Sequence, residues 1–392
     1  MHRLEPVIFH DAWGSHVSIA SLTGRPIPSA RPESELWMGA HEAGPSGVAA
    51  ADGSTLADLI ARDPVGVLGS ELVDRFGPRL PFLLKVLAPG KAISIQAHPT
   101  ADQALRERAE SGDEVYGDDW AKPELLLAIA PFEVFVGLRD FDEARAFLDC
   151  LEVPALSDLA REASAAASPV HALLASVLDT PTDEVTALTR AVVAACVRVE
   201  AVDDEFGGAA AAIVRIAEEH PDDIGLAVLV LMHHRVLQPG EFIDVAAGVL
   251  HSYVRGLGIE VLANSDNVVR AGLTSKEVNV PELLRIVDPE AGGVAGRPRR
   301  DGEGIEVFDS ASDRFVLHRL RPAGQVLDLP GDGARLVFCL RGTVDLASST
   351  GETLTLHDVE SAFVTQGESG LTLGGLGEVY VVSAPTAYAI DT

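Results

Sequence analysis

The feature that most constrains this fold is a helical block in the middle of a chain that is otherwise patterned as short strands. Residues 140–235 are rich in Ala, Leu, Asp, Glu and Arg and contain few aromatic residues. Within them Thr182 begins a segment with the form of a helix start, and apolar residues follow at near-helical spacing. Residues 207–219 and 222–236 predict further helices. We therefore predict a mainly β protein with an α-helical insert domain.

Strand patterns occupy both sides of the insert. Before it, residues 81–100 predict two strands joined by a turn at Pro89, and residues 120–139 predict two more. After it, the β pattern resumes at Gly240. Residues 305–392 predict many short strands joined by Gly and Asp turns, which is typical of a small sandwich or barrel. The predicted domains are residues 1–139 with 236–300, residues 140–235, and residues 301–392.

Composition excludes several classes of partner. A chain of 392 residues is long enough for two or three domains. Its formal net charge of −29 repels nucleic acid and anionic lipid, so we expect neither as a partner. Its 3 cysteines lie far apart without a CxxC pair, which fits a reducing compartment. No apolar run approaches the ~20 residues of a membrane span, and the start of the chain has no apolar signal region. We expect a cytoplasmic protein.

Polar residues are concentrated in three segments, and filling a core does not explain them. The longest is residues 251–283, where a histidine, acids, amides and cations occur without a helical period. In the strand before the insert, Gln96 and His98 share a face because alternate side chains of a strand point the same way. Lys122 and Glu124 flank a proline, and extended backbone there would project both to one side. We predict that these segments form the walls of one site.

Histidines in these segments raise the hypothesis of a metal site. His98 shares its strand face with Gln96, and His251 follows a glycine-bounded turn at the start of a strand. Two imidazoles, a carboxylate and a carboxamide oxygen would suit Zn²⁺. The alternative is that both histidines are simply packed or exposed, because spacing cannot prove ligands that come from separate segments. The histidines that we interpret as packed or exposed are His10, His16, His171, His220, His233, His234, His318 and His357.

Cations also gather in or beside the polar segments: Lys85, Lys91, Lys122, Arg255, Arg270 and Lys276. One interpretation is ordinary pairing with nearby Asp and Glu. The other is a pocket for a phosphorylated polyhydroxy ligand, since Arg binds phosphate bidentately and Lys binds it as a point charge. Glu260 and Asp266 lie in the same stretch. A carboxylate beside a metal and an arginine could carry a proton between adjacent carbons.

Three segments carry a close resemblance to the type I mannose-6-phosphate isomerases (phosphomannose isomerases). They are PFLLKVLAPGKAISIQAHPT, KPELLLAIAPFEVFVGLR and GEFIDVAAGVLHSYVRGLGIEVLANSDNVVRAGLTSKEV, and ELWMGAH near the start of the chain fits the same family. The resemblance is strong over about residues 1–140 and 235–290. The insert and the C-terminal segment match the family in the type and order of their predicted secondary structure more than in amino-acid identity.

The resemblance implies a cupin-like fold, with jelly-roll β domains (catalytic and C-terminal) and the helical insert, and one zinc ion per chain. The implied zinc ligands are Gln96, His98, Glu124 and His251. The residues expected to act in catalysis are Arg270, Lys122, Glu260 and Asp266. The residues expected to contact the substrate are Lys85 and Tyr253. The implied reaction interconverts mannose 6-phosphate and fructose 6-phosphate by proton transfer through a cis-enediol.

The sequence departs from the family pattern at three positions. Glu42 and Ala246 stand where proline is usual, which removes rigidity but no ligand. Ala121 stands where a histidine is common just before KPE. A mechanism that uses that histidine as the proton carrier cannot operate here. This departure favours Lys122 and the acids beside the metal as the groups that move the proton.

Two other functions stay open at this point. One is a non-catalytic sugar-phosphate-binding cupin that acts as a sensor or regulator, which the joint presence of the four ligand positions and Arg270 disfavours. The other is an iron cupin oxygenase, which the amide of Gln96 disfavours. We favour a zinc-dependent isomerase, expected to be a monomer, whose partner is a small-molecule sugar phosphate.

Overall fold

The computed structural model of this chain describes residues 1–49, 53–112, 114–202 and 205–385. The end of the predicted C-terminal domain, residues 386–392, lies outside the described residues. Most of the described helical residues fall between 141 and 230, and strands dominate on either side. The predicted fold class, mainly β with a helical insert, is confirmed. No helix in the described part of the chain is long and apolar enough to cross a membrane.

Strands fall into three groups along the chain. Those before the insert are β1 (His2–Glu5), β2 (Val7–Phe9), β3 (Glu35–Met38), β4 (Gly47–Val48), β5 (Phe82–Leu87), β6 (Ile95–Ala97), β7 (Glu124–Ala128) and β8 (Phe132–Leu138). Those that follow it are β9 (Met232–Leu237), β10 (Phe242–Val245), β11 (His251–Arg255), β12 (Gly258–Ala263), β13 (Val269–Gly272), β14 (Val294–Gly296) and β15 (Arg299–Arg300). The C-terminal group is β16 (Ile305–Phe308), β17 (Val316–Leu320), β18 (Leu327–Asp328), β19 (Arg335–Ala347), β20 (Thr353–Leu356), β21 (Glu360–Val364) and β22 (Thr372–Ser383).

Helices lie mostly in the insert. Those before it are α1 (Ser18–Leu22), α2 (Leu56–Arg62), α3 (Pro64–Leu68), α4 (Ser70–Phe76) and α5 (Ala101–Ser111). Those of the insert are α6 (Phe141–Leu151), α7 (Pro154–Ala163), α8 (Pro169–Leu178), α9 (Thr182–Glu200), α10 (Gly207–Glu219) and α11 (Gly225–Val230). One more, α12 (Val280–Ile286), follows β13.

Two antiparallel sheets form the sandwich that holds the predicted site. One has seven strands in the order β14-β10-β7-β12-β5-β3-β2, and the other has five in the order β13-β6-β11-β8-β9. Apolar side chains from both sheets meet in one buried cluster that includes Leu126, Phe132 and Ile243. The apolar faces of the two sheets therefore pack against each other, as in a jelly roll.

Strand register brings the polar segments of the sequence together. His251 lies opposite Gln96 in the β11–β6 pair, and Arg270 lies opposite Gln96 in the β13–β6 pair. Glu260 lies opposite Lys85 in the neighbouring sheet. Residues that are more than 150 positions apart thus become neighbours on adjacent strands, because β6 lies between the two later strands.

The helical insert packs against the other face of the five-stranded sheet. Its core is continuous with Ile95 and Ala97 of β6 and with Val269 and Ala271 of β13. Since side chains alternate along a strand, burying these apolar residues against the insert turns Gln96 and Arg270 towards the opposite side. The insert therefore stabilises the strands that carry the site without forming their polar face.

One helix prediction was wrong in its second half. Residues 222–236 were predicted to be helical, but α11 ends at Val230 and β9 begins at Met232. The apolar residues of this segment have no clear period. Its second half forms β9, which pairs antiparallel with β8. Tertiary pairing overrides local pattern in such a segment.

The C-terminal strands β16 to β22, together with β1, β4 and β15, form a ten-stranded sheet that encloses its own apolar core, and we call it the C-terminal sandwich. Two of its strands, β19 with 13 residues and β22 with 12, are long, whereas the sequence predicted only short strands here. Glycines at positive φ, such as Gly342 and Gly375, bend these strands without ending them. β1 pairs with β21, so the first residues of the chain lie in the C-terminal sheet and not in the site sandwich. The predicted domain boundaries stay a prediction.

Candidate metal centre and active-site cavity

Three predicted ligands meet inside the site sandwich. His98 follows β6, Glu124 begins β7 and His251 begins β11. Each offers a nitrogen or oxygen atom, and these atoms all lie within 4.8 Å of one another. The Nε2 atom of His98 is 3.2 Å from one oxygen of Glu124, and the Nε2 atom of His251 is 3.5 Å from the other. Both imidazoles are fully buried, so the cluster is screened from bulk water.

Backbone carbonyls orient both imidazoles towards the carboxylate. The Nδ1 atom of His98 lies 2.7 Å from the main-chain oxygen of Asn267, and that of His251 lies 3.0 Å from the oxygen of Val249. A carbonyl only accepts, so the proton of each neutral ring must be on Nδ1. Each Nε2 atom then presents a lone pair to Glu124. Hydrogen bonds of this kind fix the tautomer of metal-binding histidines.

The charge of this cluster also suits a cation. Burial, Lys122 and His251 together lower the pKa of His98 to about 4, so its ring is neutral at pH 7. Burial opposes ionisation of Glu124, but the charge of Lys122 holds the pKa of its carboxyl well below the usual value. The buried Nε2 atom of His98 has no hydrogen-bond partner among the described residues. Two lone pairs and a carboxylate with no proton between them form a cation site.

Gln96 supplies a possible fourth ligand. Its Nε2 atom is 3.3 Å from the Nε2 atom of His251. A 180° rotation of a side-chain amide exchanges the positions of its oxygen and nitrogen, and the orientation is assigned from the hydrogen-bond network. With a cation present, this rotation would direct the oxygen of Gln96 towards it. Two imidazoles, a carboxylate and an amide oxygen match the donor types that zinc accepts, so the residues present fit zinc.

A cavity of about 620 Å³ opens beside this cluster. Its wall includes most of the predicted site residues: Lys85, Gln96, Lys122, Glu124, Tyr253, Glu260 and Arg270. The volume is within the usual range for a small-molecule site. The structure therefore brings the polar segments of the sequence to one surface, with His98 and His251 buried behind it.

Glu260 and Lys85 form a buried charge network at this wall. The ammonium of Lys85 lies 3.2 Å from Glu35 and 3.6 Å from Glu260. Burial alone would lower the pKa of Lys85, but the two carboxylates raise it above its ordinary value. Burial and the charge of Glu124 raise the pKa of Glu260 to about 8, against the opposing effect of Lys85. Glu260 can therefore exchange a proton near neutral pH.

Three further groups, Tyr253, Lys122 and Arg270, complete the wall. The hydroxyl of Tyr253 donates to Glu124 at 3.2 Å, while the ammonium of Lys122 lies 3.1 Å from the other carboxylate oxygen. Arg270 is half-buried, and burial alone lowers the pKa of its guanidinium. No acid in the described part of the chain pairs with Arg270. An unpaired guanidinium that lines a cavity in a chain of net charge −29 is available to an anionic ligand.

Known proteins of one family resemble this chain in sequence and structure. A family model described as the catalytic domain of phosphomannose isomerase type I matches residues 1–141. The mannose-6-phosphate isomerase of Escherichia coli (strain K12) is 33% identical over 97% of this chain and 98% of its own length. The mannose-6-phosphate isomerase of Homo sapiens is 29% identical, over 87% of this chain and 88% of its own length. The Salmonella typhimurium enzyme, in a crystal structure with its substrate F6P and zinc, has a TM-score of 0.88 at 30% identity and covers 98% of this chain and 99% of its own.

This chain belongs to the type I phosphomannose isomerase family. The predicted resemblance and the cupin-like fold are confirmed, and the similarity extends through the insert and the C-terminal sandwich. Ala121, directly before Lys122, offers only a methyl group. The polar groups left near the cluster on that segment are Lys122 and Glu124.

Asp266 is the one predicted site residue that the structure brings neither to this cavity nor to the metal cluster behind it. Its side chain is 77% exposed and lies 3.3 Å from the Nε2 atom of His41. Both residues line a second cavity of about 560 Å³. The connection after β12 turns Asp266 away from the cluster, although the nearby Asn267 faces it. Of the two acids considered as proton carriers, Glu260 lines the cavity beside the metal cluster and Asp266 does not.

Sequence reasoning missed several residues of the cavity wall. Glu35 contacts Lys85, and its position in the ELWMGAH segment was a usable signal. Glu219 and His220 also line the cavity, and Glu219 lies 2.6 Å from Lys91. His220 was interpreted as packed or exposed. These two residues come from the end of α10, and no local pattern relates a helix end in the insert to the site of a phosphomannose isomerase.

Proposed function

We propose that this chain interconverts mannose 6-phosphate and fructose 6-phosphate, using one zinc ion held by Gln96, His98, Glu124 and His251. One observation carries the proposal. The unprotonated Nε2 atoms of two buried histidines face a buried carboxylate at a cavity that also contains an unpaired arginine. The mannose-6-phosphate isomerase of Escherichia coli, 33% identical over 97% of this chain, supplies the reaction class.

The distribution of charge supports a sugar phosphate as the ligand. The chain as a whole is strongly acidic, with a formal net charge of −29, yet its cavity wall carries Lys91 and Lys276 in addition to Arg270, which lies beside the metal cluster. A phosphate group would find cations there. The hydroxyl groups of the sugar would then face the cluster, where Glu124 and the histidines lie. This arrangement places the two ends of an elongated, phosphorylated ligand in different electrostatic environments.

The reaction transfers one proton between C2 and C1 of the open-chain sugar. Zinc, when bound, supplies a Lewis acid that polarises the oxygen atoms of the substrate. Glu260 accepts the proton from C2 of the aldose, and the electrons of that C–H bond form the C1–C2 double bond of a cis-enediol. The aldehyde oxygen takes a proton from solvent in the same stage. Glu260 then returns its proton to C1, the electrons of the C1–C2 double bond form the new C–H bond, and the hydroxyl at C2 releases its proton to solvent as it becomes the ketone.

Other residues of the wall stabilise this path. Arg270 donates hydrogen bonds to the oxygen that gains charge as the enediol forms. Lys122, 3.1 Å from Glu124, adds a positive charge beside the reacting carbons. Lys85, also in the cavity wall, holds Glu260 in position at 3.6 Å. Tyr253 fixes the carboxylate of Glu124 and presents its ring to the cavity.

A coupled assay of the purified chain tests this proposal. Mannose 6-phosphate is supplied, and the formation of fructose 6-phosphate is followed through a coupling enzyme. We expect turnover that a chelator abolishes and added zinc restores. Absence of turnover from a zinc-loaded, folded chain would overturn the proposal. Mannose without its phosphate is the matched control substrate, and it should react poorly because it cannot contact the cations of the wall.

We further propose that the chain works in the cytoplasm as a monomer. Cys196 and Cys339 are buried and far apart, and the chain has only 3 cysteines, which supports a reducing compartment. The strongly negative charge supports a soluble, unassociated chain, since like charges repel. Light scattering of the purified chain should give the mass of a monomer, 41.2 kDa. A stable mass of twice that value would contradict the monomer.

A further inference from the structure

Asn267 lies between the metal cluster and the segment that leads into Glu124. It belongs to the connection between β12 and β13 and is only 1% exposed. Its main-chain oxygen accepts the Nδ1 hydrogen of His98 at 2.7 Å. Its side-chain amide donates to the main-chain oxygens of Trp120 and Asp118, both at 2.9 Å. One residue therefore contacts a predicted zinc ligand through its backbone and a second chain segment through its side chain.

The hydrogen bonds around Asn267 form a closed network. Its amide also reaches a carboxylate oxygen of Asp118 at 3.2 Å. That oxygen accepts the hydroxyl of Ser265 at 3.0 Å and the backbone N–H of Trp120 at 2.8 Å. The hydroxyl of Ser265 in turn accepts the backbone N–H of Asn267 at 3.2 Å. Residues 265–267 and 118–120 are thus tied together as one unit.

This unit matters because Asn267 is not part of a strand. β13 begins at Val269, so no sheet ladder fixes the main-chain oxygen that His98 uses. Instead, the hydrogen bonds that the side chain of Asn267 makes to Trp120 and Asp118 hold this main-chain oxygen in place. If those bonds are lost, the connection can shift, and the acceptor that fixes the tautomer of His98 shifts with it.

We propose that Asn267 is a positioning residue for the metal centre. Its side chain holds its own backbone carbonyl in place, and that carbonyl holds the Nε2 lone pair of His98 towards Glu124. The inference rests on the proposed function, since it takes the cluster to bind zinc. Ligands that are preorganised before the cation arrives bind it more tightly, and partners behind the ligands commonly change metal affinity about 10- to 100-fold.

Zinc affinity of the full-length chain measures this effect directly. Asn267→Ala removes the side-chain bonds but keeps the backbone carbonyl. We expect its zinc dissociation constant, measured by competition with a chromogenic chelator, to rise about 10- to 100-fold over wild type. The matched control is Asn264→Ala in the same connection. The Asn264 amide donates to the main-chain oxygen of Leu80 at 3.1 Å and not to residues 118–120. This control should keep the wild-type affinity.

Each outcome decides between the proposals. Weaker zinc binding by Asn267→Ala alone supports the positioning role. Equal affinity of Asn267→Ala and wild type, or equal weakening by both variants, would overturn it while leaving the proposed function in place. A folded wild-type chain that binds no zinc would overturn both.

A second variant guards against a folding defect in Asn267→Ala. Asp118 is partly exposed, and Asp118→Ala removes only the bonds to its carboxylate oxygen. We expect a smaller rise in the zinc dissociation constant than for Asn267→Ala. Wild-type affinity in a folded Asp118→Ala chain would count against the inference.

Discussion

The two β sandwiches of this chain bury charge in opposite ways. In the site sandwich, Glu124 and His98 are buried beside a cavity, and the buried Nε2 atom of His98 has no hydrogen-bond partner among the described residues. In the C-terminal sandwich, Glu378 is buried under Arg341 at 2.6 Å and Arg321 at 3.0 Å. Buried Arg335 there donates to main-chain oxygens. Its inner core is made of apolar side chains and one cysteine.

This difference shows that the architecture does not set the function. Both sandwiches are antiparallel, have a packed apolar core and leave buried polar atoms without a hydrogen-bond partner within the residues that the structure describes, among them the Nε2 atom of His98 in one and the Nδ1 atom of His318 and the hydroxyl of Ser361 in the other. Such an atom costs stability wherever it lies, so its presence alone does not mark a binding site. In the described part of the chain, the one cluster of potential metal-binding side chains lies in the site sandwich. Function here depends on the site and not on the fold.

Removing a ligand should have the largest effect. Glu124→Gln replaces the buried carboxylate with a neutral amide, so zinc binding should be lost. The rate of mannose 6-phosphate isomerisation should fall by at least about 10³-fold, since a Lewis acid contributes several kcal/mol. Metal analysis and the coupled assay measure the two effects.

The matched control is the same change in the other sandwich. Glu378→Gln weakens the contacts with Arg321 and Arg341 and should lower the thermal unfolding midpoint, but it should leave zinc content and kcat unchanged. Equal loss of activity in the two variants would remove the distinction between the sandwiches.

The second largest effect on the rate is expected for Glu260, the proposed proton carrier. Glu260→Gln keeps the shape of the side chain but cannot accept the proton, so kcat should fall by about 10²- to 10⁴-fold with zinc retained. Asp266→Asn is the control within the same stretch. Its side chain is 77% exposed and points to another cavity, so kcat should change little. A larger loss in Asp266→Asn than in Glu260→Gln would reverse our assignment of the base.

A slightly smaller effect on kcat is expected for Arg270, the unpaired cation of the cavity wall. Arg270→Ala should lower kcat by about 10²- to 10³-fold, the usual loss when one oxyanion-stabilising donor is removed. Zinc content should stay at the wild-type level, because Arg270 lies beside the cluster and is not a ligand. Arg341→Ala, in the C-terminal sandwich, should leave kcat as it is. Retained turnover in Arg270→Ala would favour a binding protein or a different oxyanion stabiliser.

The smallest effect concerns the contact between the site sandwich and the insert. Glu133 of β8 accepts hydrogen bonds from Arg215 of α10 and from His234 of β9. Burial opposes its ionisation, but His234 and Arg215 lower the pKa of Glu133 to about 2, from 4.5 in an exposed carboxyl. The ionised form is favoured in the folded chain, so its contribution is present above about pH 4.5 and is lost as the pH falls towards 2.

Glu133→Gln should therefore reduce the free energy of unfolding at pH 7 by about 1–3 kcal/mol and flatten its dependence on pH between 5 and 3. Thermal unfolding of both proteins across this pH range measures the difference. Glu143→Gln, which removes a more exposed carboxyl from α6, should follow the wild-type curve. A Glu133→Gln curve parallel to that of wild type would show that Glu133 does not stabilise this contact.

Local patterns in the sequence predicted much of the fold. The helix predicted over 207–219 is α10, because helical periodicity acts within a few residues. The alternation of Ile95, Gln96 and Ala97 correctly separated apolar from polar faces. The pattern did not predict β9 or the length of β19, because both depend on pairing with distant strands.

For the candidate site, the sequence by itself determined the residue types and the segments that could supply them. Gln96, His98 and Glu124 belong to short motifs, and the resemblance of these motifs to the family could be recognised from the amino-acid sequence alone. Tertiary structure decided which of the acids reached the cavity. Glu260 lies in a strand opposite Lys85 and faces the cluster, whereas Asp266 lies in an irregular connection and faces solvent. The physical reason is that strand register relates residues far apart in the chain, and sequence spacing carries no record of it.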